Sequence, residues 1–76
     1  MNKAISRIVL ARRDAAGGID YTAKSGAPCP YCGERSRSYR TLPWEDTTRI
    51  RYHRCENLKC PLATMKITIK SIEADK

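Results

Sequence analysis

The arrangement of four cysteines limits this chain more than any other feature. Cys29-Pro30-Tyr31-Cys32 is a CxxC turn and Cys55-Glu56-Asn57-Leu58-Lys59-Cys60 a CxxxxC turn, with 22 residues between Cys32 and Cys55. Each turn can aim two sulfurs at one point, so the segment between them need only bring the pairs together to form a tetrahedral all-sulfur site with metal–sulfur bonds of about 2.3 Å. Soft thiolates in that array select zinc or iron. One structural Zn2+ held by Cys29, Cys32, Cys55 and Cys60 is the expectation, although an iron centre would use the same ligands. Gly33 suits the backbone turn around the first pair. Four protein ligands leave no position for a metal-bound water, which argues against a zinc hydrolase. A thioredoxin-type reading of the first CxxC lacks its βαβ context.

The chain needs such a staple. Seventy-six residues fit one domain, and at this size folding buries only about 60 % of the unfolded surface. Structural zinc supplies roughly 10–16 kcal/mol of apparent binding energy, more than a typical domain's whole net stability. No apolar run approaches the roughly 20 residues that span a bilayer, and Ile8-Val9-Leu10-Ala11 is too short for a signal-peptide core. A cytoplasmic location follows as the expectation, where paired cysteines hold metal more often than they form disulfides. No membrane partner and no small-molecule substrate are expected, since a chain this short has little scaffold for a cleft. Glu34, Glu45, Asp46 and Glu56 read as solvated turn charges, with no nucleophile beside a positioned base, so no enzyme is expected.

The breaker-rich step Ser25-Gly26-Ala27-Pro28 divides an N-terminal extension, residues 1–28, from the four-cysteine zinc ribbon, residues 29–70, with residues 71–76 as a tail. In the extension, Ile5, Ile8, Val9 and Ala15 or Ala16 recur near helical spacing ahead of Gly17-Gly18, which suits a helix and its cap. Two strands, 8–11 and 19–22, are an equally physical alternative, and the segment is short of bulky apolar residues, as a partly disordered one would be. Downstream, 37–42 and 49–54 read as a hairpin around Pro43 and Trp44. Its second strand places Ile50 and Tyr52 on a buried face and Arg49, Arg51 and His53 outward. A third run, 64–70, places Met65, Ile67 and Ile69 opposite Lys66, Thr68 and Lys70. The fold class is thus a small metal-stapled domain, a zinc ribbon with a three-stranded antiparallel sheet and an N-terminal extension for which a helix is the favoured of the two readings.

Fifteen Lys and Arg oppose eight Asp and Glu, a formal net charge of +7. Zinc bound by four thiolates still leaves the protein basic. A small basic domain looks for a polyanion, nucleic acid first. The sheet pattern gathers Arg35, Arg37, Arg40, Arg49, Arg51, His53, Lys66 and Lys70 as candidate contacts, with Tyr39 and Trp44 nearby to stack. His53 reads as a surface residue beside the arginines, since a fifth metal ligand is not needed. A second reading is a protein-interaction module anchored by Trp44, because Trp and Arg dominate hot spots.

Around the second cysteine pair, Asp46-Thr47-Thr48, Arg51-Tyr52-His53, then Cys55, Asn57 and Cys60, the chain resembles the Ogr/Delta family of small zinc-binding phage late-gene transcription activators. That family's signature is similar: C-x-x-C, a spacer of about 22 residues, then C-x-N-x-x-C. The resemblance implies a DNA-contacting zinc module, most naturally on duplex, that also recruits RNA polymerase, with the four cysteines as ligands. The chain departs from the pattern in its 28 residues ahead of Cys29, its short segment after Cys60, and Met65 where an aromatic is usual.

Overall fold

Ala11 and Ala15, one helical turn apart, seat the N-terminal segment. In the computed structural model, which describes residues 3–74, this segment is helix α1, Lys3–Gly17. Both alanines are buried, and having nothing beyond Cβ they let the helix lie close on the sheet. Ile8 is half-buried, while Val9 and Leu10 stay exposed. The helical reading of the extension therefore holds, and the strand alternative survives only as β1, Ile19–Asp20.

Gly18 makes the join possible. Its φ of +106° is left-handed, its N–H caps the helix on the Asp14 carbonyl at 3.0 Å, and a Cβ there would sit 2.8 Å from Ile72 Cδ1. Beyond it come β2 (Arg37–Thr41), β3 (Thr48–Arg54), the four-residue helix α2 (Pro61–Thr64) and β4 (Ile69–Ala74). The sheet order is β1-β4-β3-β2. The expected three-stranded antiparallel sheet is present as β2, β3 and β4, but β1 adds a fourth strand parallel to β4, with Ile19 opposite Ser71. The sheet is mixed because the extension contributes to it.

The third strand differs from its sequence reading. Pro61 occupies the first turn of α2, and the Cys60 carbonyl accepts from the Ala63 and Thr64 N–H groups. Lys66, at φ +55°, then closes the turn: its N–H bonds Ala63 and that of Ile67 bonds Leu62, the paired bonds of a Schellman motif. Met65, Ile67 and Ile69 therefore do not share one strand face, and Lys66 lies in a turn. β4 starts at Ile69 and runs to Ala74, through most of what reads in sequence as a tail; Asp75 and Lys76 lie outside the described residues.

The core is small and contains the cysteines. Ala11, Ala15, Cys29, Cys55, Cys60, Leu62 and Ile69 form one buried cluster, with Ile19, Tyr31, Cys32, Ala63 and Ile67 packed on it.

Candidate metal centre and the two faces of the sheet

The first cysteine pair is held by a tight loop. The Cys29 N–H donates to the Glu34 carbonyl at 2.7 Å, the Gly33 N–H donates to the Cys29 carbonyl at 2.9 Å, and Gly33 has φ +80°. The Tyr31 N–H points at Cys29 Sγ, 3.5 Å away. The second pair is shaped by Asn57, whose Oδ1 accepts from the Lys59 N–H at 3.1 Å while its carbonyl accepts from the Cys60 N–H at 2.8 Å. Arg7 on α1 lies 4.6 Å over the Tyr31 ring, so the helix also braces the first loop.

These loops bring all four Sγ atoms within 4.8 Å of one another. Cys29 and Cys60 are 3.7 Å apart and Cys32 and Cys55 3.6 Å. A tetrahedron with bonds of about 2.3 Å has edges of about 3.8 Å, so these two pairs already stand at the spacing one ion requires and no other pair exceeds it by more than about 1 Å. They are far outside the roughly 2.05 Å of a disulfide, and all four are free.

The electrostatics point the same way. Burial pushes the thiols of Cys29 and Cys55 up. At Cys32 burial acts in the same sense but is outweighed by the Glu34 backbone N–H and the Asn57 side chain, and its pKa falls. Four thiolates this close, three of them buried, repel one another without a cation between them, and a divalent ion reverses that repulsion while displacing the thiol protons. The donor set and spacing thus fit a structural zinc ion, with Cys29, Cys32, Cys55 and Cys60 to hold it.

The pairing register sorts the basic residues onto two faces, since residues opposite one another in a ladder project to the same side. One face carries Arg49 opposite Glu73, Arg51 opposite Ser71 and His53 opposite Ile69. The other carries Ile50 opposite Ile72, Tyr52 opposite Lys70 and Arg40, and Arg54 opposite Arg37.

The period-two alternation of β3 is as the sequence suggests, but the faces are exchanged. Ile69 and Ser71 are fully buried, so the face that they share with Arg49, Arg51 and His53 is the covered one. His53, expected at the surface, is 1 % exposed, its Nε2 2.7 Å from Ser71 Oγ and its ring stacked with Tyr21 at 6.1 Å. Burial lowers its pKa, aided by the charge of Arg51 and opposed by the Ser36 backbone. Its Nδ1 has no hydrogen-bond partner; the Ser36 backbone lies outside bonding geometry.

Arg51 bonds Glu73 and lies 3.9 Å over Tyr21; Arg49 donates to the same carboxylate at 3.0 Å and lies 4.6 Å over Trp44. Hydrogen bonding from Arg51, supported by Arg49, holds Glu73 below the usual carboxylate range. Both arginines are committed within the fold. Ile50 and Tyr52, expected in the core, are only half-buried on the opposite face.

That opposite face carries Arg37, Arg40 and Lys70 from the expected set. It also carries Arg54, which the sequence reading passed over because it shares the parity of Ile50 and Tyr52. Arg35 stands outside the sheet, its side chain lying across Gly26, and Lys66 is in the turn after α2. Trp44 is 44 % exposed in the β2–β3 connection. No helix among the described residues is long and apolar enough to cross a membrane.

A ribbon whose two cysteine loops converge on one tetrahedral thiolate site is a zinc finger, with the metal standing in for the missing bulk of the core. Comparison of sequences gives the narrower statement. The Ogr/Delta-like zinc finger model matches residues 28–67, just over half the chain, and the protein belongs to that family. Searches of curated proteins and of solved structures return no significant match.

Proposed function

We propose that the chain is the DNA-contacting zinc module of a phage- or prophage-type transcriptional regulator, working in the cytoplasm without catalysis of its own. The observation that carries this reading is the concentration of Arg37, Arg40, Arg54 and Lys70 on the open sheet face. The acids bordering that face are Glu56, in a loose exposed pair with Arg37 at 3.6 Å, and Asp20 on the edge strand. On the covered face, by contrast, Glu73 serves both Arg49 and Arg51. Phosphates need bases that are free to reach them, and the open face supplies them.

The test is an electrophoretic titration of the zinc-loaded protein against random duplex at several salt concentrations. Each phosphate contact adds about 0.9 to the logarithmic salt slope. Replacing Arg40 and Arg54 with Ala is expected to lower the slope by nearly two and weaken binding to all sequences. Unchanged slope and affinity in a folded, zinc-retaining double variant refute this assignment of the contact face.

Trp44 supports a second reading, docking on RNA polymerase or another protein. Its ring is exposed yet braced by Arg49, as a hot-spot anchor is. Absence of DNA binding at low salt, together with a partner lost on Trp44→Ala, would favour it.

A further inference from the structure

Helix α1 turns its smallest residues inward and larger apolar ones outward. Ala11 and Ala15 are buried, and with Ile69 they belong to the cluster on the covered side of the sheet. Val9 and Leu10 are 50 % and 53 % exposed. Burying either side chain fully would be favourable, yet nothing among the described residues covers them fully. Arg13 stands four residues after Val9 and three after Leu10, so the three side chains form one patch. Ala16 and Gly17 continue the exposed stripe one turn on and keep it low: a Cβ added at Gly17 would meet nothing within 4 Å. A second helix can lie along such a stripe with its own apolar residues against Val9 and Leu10.

The rim decides what kind of helix that is. Arg12 and Arg13 are exposed and have no ion pair among the described residues. Arg7, on the other flank, is exposed as well, over the Tyr31 ring. Asp14 is the one acid of α1, so the patch is net positive. A second copy of the chain would set arginine against arginine, and the whole protein carries +7; acidic side chains complement the rim instead. α1 packs on the covered side of β4, so its outward stripe faces away from the open sheet face, and a partner here leaves that face clear. The helix also lies outside residues 28–67, which match the zinc finger family.

We infer that the outward stripe of α1 is a docking site for an acidic amphipathic helix of a partner protein, with Val9 and Leu10 as apolar anchors and Arg12 and Arg13 paired with its carboxylates. This does not depend on the DNA-contacting reading above.

The test is fluorescence anisotropy of the zinc-loaded full chain at low salt. The probe is a labelled helical peptide of about 15 residues, with leucines at three- and four-residue spacing along one face and glutamates beside them. The same peptide with lysine for each glutamate is the control. The acidic peptide should bind, more weakly as salt rises, and the basic one should not. Leu10→Ser should weaken binding about tenfold, the loss of roughly half a buried leucine. The double variant Arg12→Glu, Arg13→Glu should lose the acidic peptide and gain the basic one. Should a variant lose its zinc or fold, amide shifts in the parent on adding the acidic peptide replace it; shifts over residues 6–17 are expected, and shifts elsewhere refute the inference. No binding of the acidic peptide, equal binding of both peptides, or a neutral folded Leu10→Ser overturns the docking site. Two further outcomes overturn it in favour of another occupant. A parent dimer in sedimentation that Leu10→Ser dissolves assigns the stripe to a second copy. A lower salt slope on random duplex for Arg12→Ala, Arg13→Ala assigns it to a DNA groove and leaves the DNA-contacting reading standing.

Discussion

Removing one hydroxyl from the covered face tests its construction directly. His53 and Ser71 are buried to 1 % and 0 % exposure, and the 2.7 Å bond between them is the sole partner of the imidazole, since Nδ1 already lacks one. Ser71→Ala leaves no void to speak of, but it strands a second ring nitrogen away from water. An unsatisfied buried polar group costs roughly 1–3 kcal/mol, and the middle of that range, about 2 kcal/mol, is the expected loss. Replacing both partners tells the causes apart, because a pair exchanged for apolar groups of similar shape is close to neutral. The double variant His53→Phe, Ser71→Ala should therefore be more stable than Ser71→Ala alone, recovering most of the loss. The assay is equilibrium urea unfolding at fixed, saturating zinc, because the metal contributes to every measured stability. With a slope near 1 kcal/mol per molar urea for a chain of this size, the single variant's midpoint falls by about 2 M. A Ser71→Ala midpoint within a few tenths molar of the parent, or a double variant less stable than the single, would falsify the account of His53 as a buried group dependent on one bond.

Lys66 occupies a left-handed position at φ +55°, so Lys66→Gly should raise stability by about 0.5–1 kcal/mol, seen as a higher melting temperature; a lower one refutes the strain. Glu73 is held below its ordinary value of 4.5, chiefly by Arg51. The stability it contributes is present above that value and is lost as the pH falls through its lowered pKa. Its carboxyl carbon should accordingly titrate with a midpoint below 4.5, and Arg51→Gln should move that midpoint upward; a midpoint at or above 4.5 in the parent contradicts the pairing. Chelation of the metal should release α1 together with the ribbon, because Ala11 and Ala15 share the buried cluster of Cys29 and Cys60. Amide exchange read residue by residue checks this, and protection of α1 surviving in the metal-free protein refutes it.

The metal site was legible from spacing alone because ligand geometry is local: a CxxC and a CxxxxC turn fix their sulfurs whatever the rest of the chain does. The helix was legible in its periodicity, although not the depth to which its alanines sit. Alternation along β3 gave the two sets of residues but not which set is covered. That depends on where β4 places Ile69 and Ser71, and on Tyr21, both distant in sequence. Chemical type misled here: Ile50 and Tyr52 look like core and Arg51 like surface, yet the register with Glu73 and the Tyr21 ring make a covered position acceptable for a guanidinium. The turn of α2 was missed because Thr64 to Lys70 alternates well enough to pass for strand. Pro61 directly after the last cysteine was the signal against it.

The middle of this sheet is made last. β4 lies between β1 and β3, yet its residues are translated some fifty positions after β1 and fifteen after β3. As the chain leaves the ribosome, β1 has no neighbour to pair with and β3 has only β2, while both cysteine loops are already complete. The metal can thus be captured by a half-built protein, and closure of the sheet waits for residue 74. A stop or frameshift within residues 69–74 would not trim an edge. It would remove the strand that joins β1 to β3, leaving α1 held only through its contacts with the cysteine loops on a basic, zinc-loaded hairpin.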